Sequence, residues 1–182
     1  MGDQNSNLTR REVIKLGAAA TAAASLGVGH VEAQARAGGF LTDNEFATLD
    51  ELSEMIIPTD PHSPGAKAAN VAAFIDSQLA EAWAEKDRTE WRAGLALVDR
   101  VAQEITGAPF MKSAPDGRLA VLTRMAQNEN HPQKPEEIFF TELKSRVVYA
   151  YYTSEIGIKQ EMEYKGNTFQ TEFAGYDVSK ER

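Results

Sequence analysis

The chain has 182 residues, with 27 acidic against 19 basic side chains, a formal net charge of −8 and no cysteine. An acidic chain repels phosphate backbones and anionic lipid headgroups, which argues against nucleic acid and a membrane surface as direct partners. Without cysteine it has no covalent haem through C-x-x-C-H, no cysteine-ligated iron–sulfur cluster or zinc ribbon, and no thiol chemistry.

The first element in chain order is a leader. Arg10 and Arg11 stand in Thr9-Arg10-Arg11-Glu12-Val13-Ile14-Lys15, ahead of a soft apolar run from Leu16 to Val28 and the triplet Ala33-Gln34-Ala35. A charged region, an apolar region and an A-x-A site in that order read as a secretory signal. The paired arginines make it a twin-arginine signal, the route that carries proteins already folded. Cleavage is expected after Ala35, with Ala33 as the alternative. The competing reading is a membrane anchor, which needs about 20 predominantly apolar residues. This run is shorter, rich in Ala and Gly, and interrupted by Thr21 and Ser25. Residues 1–35 hold three basic and three acidic side chains, so their removal leaves the charge at −8. What remains is the size of one domain, with a periplasmic address.

Residues 36–41 read as a linker. From Thr42 the apolar residues recur at helical spacing. Thr42 or Asp43 caps a first helix with Glu45 in its first turn, and Phe46, Leu49, Leu52, Ser53 and Ile56 form its inner face. Pro58, Pro61 and Pro64 then demand a structured turn. A second helix is expected from about Lys67 to Glu85, with Val71, Phe74, Ile75, Gln78, Leu79 and Ala82 inward. A third, from about Asp87 to Thr106, has the cleanest stripe: Trp91, Leu95, Val98, Ala102 and Ile105, closed by Gly107 and Pro109. The fourth starts near Pro115 or Asp116 and carries Leu119, Leu122 and Met125 inward as far as about Gln127. After a turn at His131–Pro135, Pro135 with Glu136 and Glu137 is a strong start signal for a fifth helix. Its buried stripe is Phe139, Phe140, Leu143, Val147 and Tyr151. The expectation is an all-α domain of about five helices over residues 42–157, followed by an extended tail over 158–182.

Candidate chemistry is sparse. His62 and His131 each lie beside a proline in a turn, without a second histidine or a carboxylate at ligand spacing, and read as exposed turn residues. Glu155, Glu161 and Glu163 make an acidic group of the kind usually found on a solvated face. Tyr149, Tyr151 and Tyr152 cannot share one helical face. Core packing accounts for two of them, and a protein–protein interface, where Tyr is enriched, for the remainder. The tail aromatics Phe169, Phe173 and Tyr176 follow no period; either the tail folds over its own bundle or it lies on a partner.

Two stretches carry a resemblance. They are Leu52-Ser53-Glu54-Met55-Ile56-Ile57-Pro58-Thr59-Asp60 with Pro64-Gly65-Ala66 and Phe74-Ile75-Asp76, and Phe139-Phe140…Leu143 through Tyr151-Tyr152-Thr153-Ser154-Glu155-Ile156-Gly157. With the leader, they make the chain similar to the gluconate 2-dehydrogenase subunit 3 family. These are small subunits of flavin-dependent sugar and sugar-acid dehydrogenases. The resemblance implies a non-catalytic role with no cofactor in this chain. A separate catalytic subunit, of the FAD-dependent GMC type, oxidises the sugar. The small subunit supplies the export signal and accompanies the large one through the twin-arginine translocase. Electrons leave through a cytochrome c subunit or another membrane acceptor, and such partners are the route to any membrane association. Residues expected at the partner interface are Tyr149, Tyr152, Glu155, Ile156, Tyr164, Phe169, Phe173 and Tyr176. Two alternatives stay open: an independent exported enzyme using carboxylates such as Asp60 and Glu155, and a free-standing periplasmic binding or scaffold protein.

Overall fold

Helix α1 (Asp43–Ile56) starts where its capping residues require. In a computed structural model, which describes residues 39–82 and 84–167, the Glu45 N–H donates to Thr42 Oγ1 (3.2 Å) and the Thr42 N–H to Glu45 Oε2 (2.9 Å), a reciprocal capping box. The leader residues Arg10, Arg11, Ala33 and Ala35, and the tail aromatics Phe169, Phe173 and Tyr176, lie outside the described residues. Leu49, Leu52 and Ser53 are buried as expected, while Phe46 and Ile56 pack at the margin of the core.

The proline turn is built around Glu54. Its Oε1 accepts the Thr59 N–H (2.9 Å) and hydroxyl (2.7 Å), and its Oε2 the Lys67 N–H (2.9 Å). Gly65 sits at φ +76°, where an added Cβ would lie 2.6 Å from the Thr59 nitrogen, so only glycine fits. The Ser63 hydroxyl is hydrogen-bonded to the Tyr151 hydroxyl, fastening the turn to the last long helix.

The expected second helix is two. Helix α2 (Gly65–Ala68) ends just before Asn70, whose φ of +54° breaks the helix, and α3 (Val71–Glu81) restarts after it. Val71, Ala72, Ile75 and Leu79 are buried, but Phe74 is 40% exposed and Gln78 only half-buried. Asp76 takes an inward place instead, because the chain entering the fold needs an acceptor there. Its Oδ1 accepts the N–H groups of Phe40 and Leu41, each at 2.8 Å. Arg92 completes this clamp, with its guanidinium 4.2 Å over the Phe40 ring and Nη2 donating to the Phe40 carbonyl (3.0 Å).

Helix α4 (Glu85–Thr106) buries Trp91, Gly94, Leu95, Val98, Val101 and Ala102 and ends in left-handed Gly107. Ile105, expected inside, is 39% exposed. In the last turn the Thr106 hydroxyl bonds that of Ser113 (2.8 Å). A 3-10 turn (Phe110–Lys112) then sends Phe110 wholly into the core, held by its N–H on Asp99 (2.9 Å). Helix α5 (Pro115–Met125) faces inward with Val121, Leu122 and Met125; Leu119, expected with them, is 58% exposed. Arg118 decides that rotation. It pairs with Glu51 of α1 (2.7 Å) and donates to the carbonyls of Met111 (3.0 Å) and Ser113 (3.1 Å). Glu51 also receives Lys67 Nζ (2.7 Å), and that hydrogen bond, with the one from Arg118, holds its carboxyl below the ordinary value.

Helix α6 (Pro135–Tyr152) packs against α1, α3, α4 and α5, and buries all five residues of its expected stripe together with Ala150. The segment read as an extended tail does not begin so: Gly157–Glu161 forms a π-helical turn, after which residues 163–167 are exposed and irregular. The described residues are thus all-helical, with no strand.

Candidate partner-binding surface

The candidate carboxylates Asp60 and Glu155 are tied into local structure. Asp60 Oδ1 accepts the N–H groups of His62 (2.7 Å) and Ser63 (2.8 Å), which hold its carboxyl below the ordinary range. Glu155 accepts Lys159 Nζ (2.7 Å), and this bond lowers its pKa likewise. Burial raises the Glu54 pKa, but the hydrogen bonds from Thr59 and Lys67 outweigh it and the net shift is downward. His62 and His131 are both exposed in their turns. Among the described residues no group of three or more His, Cys, Asp or Glu is placed to hold a metal ion, and no helix is long and apolar enough to cross a membrane.

Glu137 is the most strongly perturbed group. Its side chain is fully enclosed at the start of α6, where Oε2 accepts the N–H groups of Gln133 (2.9 Å) and Lys134 (3.1 Å) and Oε1 the Asn128 amide (2.8 Å). The two backbone donors are the main cause of a pKa lowered to about 2. Glu137 therefore organises the turn before α6 much as Glu54 organises the proline turn. A perturbed pKa in a cleft can mark catalysis; here three hydrogen bonds to its own turn account for it.

The surface of α6 is a different matter. One of the three tyrosines, Tyr151, is wholly buried, not two. Tyr149 is 56% exposed, with its ring centroid 6.4 Å from that of Phe74, and Tyr152 is 38% exposed, edge-on to Tyr151 at 5.3 Å. Ile156 is half-buried against the core, and Glu155 is exposed. Tyr164 is 56% exposed and donates its hydroxyl to Asn167 Oδ1 (3.1 Å). Sequence reasoning missed Ile138, which is 54% exposed, and Phe74, which it placed inside. Between α4 and α6 lies a cleft of about 460 Å³ lined by Trp91, Gly94, Leu97, Ile138 and Phe139, with Asp87, Glu90 and Glu142 among its polar margins. The legible signal was the trio Tyr149, Tyr151 and Tyr152 at the end of α6, which one helical face cannot hold.

A small helical domain whose last long helix leaves Ile138, Tyr149 and Tyr152 exposed is the build of a subunit in a larger assembly. The chain belongs to the gluconate 2-dehydrogenase subunit 3 family, whose model matches residues 43–169. Membership makes it a small subunit associated with a dehydrogenase complex. No curated protein and no solved structure matches it.

Proposed function

We propose that this chain is the non-catalytic small subunit of a periplasmic FAD-dependent dehydrogenase acting on a sugar, glucoside or sugar acid. It binds the catalytic GMC-type flavoprotein subunit and supplies the twin-arginine signal under which both are exported. A cytochrome c subunit or another membrane acceptor takes the electrons from the flavin. The chain itself carries neither cofactor nor catalytic residue. The family match over residues 43–169 carries this reading. The Arg10-Arg11 pair ahead of a weakly apolar run supports the export role.

The test is co-expression of the full chain with its flavin-bearing partner. Flavoprotein activity is expected in the periplasm and in one complex with this chain. With Arg10→Lys and Arg11→Lys together, both proteins should stay in the cytoplasm. A chain that purifies alone from its host and itself oxidises or hydrolyses a substrate would overturn the subunit reading.

A further inference from the structure

We propose that the outward face of α6, together with the cleft beside α4, seats a basic amphipathic helix of the flavin-bearing subunit. The inference deepens the subunit reading and rests on it.

Ile138, Glu142, Ser145, Tyr149 and Tyr152 follow one another at steps of four and three, so they lie on one stripe of α6. From Ile138 to Tyr152 that stripe runs for about 21 Å, or four turns. Its ends are apolar and exposed: Ile138 by 54%, Tyr149 by 56% and Tyr152 by 38%. A long, straight row with large side chains at both ends matches a helix laid along it, whose own anchors recur at the same spacing. The cleft of about 460 Å³ at the Ile138 end has the volume to take one large anchor from that helix. At the other end, Tyr149 with Phe74 of α3 offers an aromatic contact of the kind enriched in interfaces.

Charge identifies the occupant. Asp87, Glu90 and Glu142 border the cleft; Arg146 pairs with Glu142 at 2.9 Å and Lys86 with Glu90 at 3.6 Å, so the margin keeps one net negative charge. That residual charge, on a chain of net −8, favours a helix that brings Lys or Arg to the margin. A second copy of this chain would instead bring the same carboxylates and a second net charge of −8. The chemistry therefore favours a basic partner helix over self-association.

The experiment uses the full chain co-expressed with its flavin-bearing partner. Ile138→Glu and Tyr149→Glu alter the stripe, and Glu90→Lys with Glu142→Lys reverses the margin. Leu119→Glu on α5, 58% exposed, is the control; circular dichroism confirms that each variant is folded. The stripe and reversal variants are each expected to raise the dissociation constant about tenfold or more, and the control to leave it unchanged. Zero-length carbodiimide coupling should join Glu90 or Glu142 of the wild type to a partner lysine. If wild type and stripe variants bind the partner alike, the face is wrong while the subunit reading stands. If the wild type forms no complex, the subunit reading fails and this proposal with it. A dimer of the chain alone that the same variants dissolve would make the occupant a second copy, and overturn the proposal.

Discussion

The two faces of α6 use the same kinds of residue to opposite ends. Inward, Phe139, Phe140, Leu143, Val147 and Tyr151 are covered by the other helices, and even a carboxylate, Glu137, is enclosed and satisfied. Outward, Ile138, Tyr149 and Tyr152 are as large, yet among the described residues nothing covers them to the same degree. Inner residues hold the domain together, so their loss is read in stability. Outer residues contribute little to folding, so their loss is read in association. One helix thus carries a structural side and a side available to another molecule.

The largest expected effect is on the inner face. Leu143→Ala should cost about 2–5 kcal/mol, because Leu143 is fully buried and the site cannot collapse completely. Urea unfolding measures it, and a loss near zero would erase the distinction between the faces. Glu137 comes next. Its pKa is depressed from 4.5 to about 2, so the folded state favours the carboxylate. Its stabilisation is complete above about pH 4.5 and is lost as pH falls toward about 2. Glu137→Gln should therefore unfold at a lower temperature than wild type at neutral pH, and the gap should close across that acid window. A gap that persists at the acid end would show that shape, not charge, is what the site needs.

Tyr151→Phe sharpens the comparison. It keeps the buried ring but leaves the Ser63 hydroxyl without its partner on α6, at a cost of about 1–3 kcal/mol. Faster proteolysis within residues 57–65 would locate that loss at the proline turn. The smallest effect is expected outside: Tyr149→Ser should change stability by about 0.5 kcal/mol or less. A larger loss by urea unfolding would mean that the Phe74–Tyr149 contact belongs to the core.

The elements legible beforehand were those whose signals are local. The Thr42 cap, the Gly107 stop, the Pro135 start and the stripe from Phe139 to Tyr151 depend on residues a turn apart, and each stands where those residues require. Two of the errors share one cause. Phe74 and Leu119 each fit an apolar period, but in each helix a polar contact made far along the chain takes the inward side. For α3 it is Asp76 receiving Phe40 and Leu41, and for α5 Arg118 reaching Glu51; Ile105 instead lies in the last turn of α4, beyond its last buried residue, Ala102. The binding surface was half legible: Tyr149 and Tyr152 followed from three tyrosines that one face cannot hold, whereas Ile138 and the cleft did not.

The sequence alone determined the helical class, the capped ends and the inner stripe of α6, because helix periodicity and capping act over three or four residues. Only the tertiary structure decided where α2 breaks from α3, which way α3 and α5 turn, and which aromatics remain outside. Those choices depend on satisfying buried N–H groups and charges across long chain separations, and a helical period read along the chain contains no record of them.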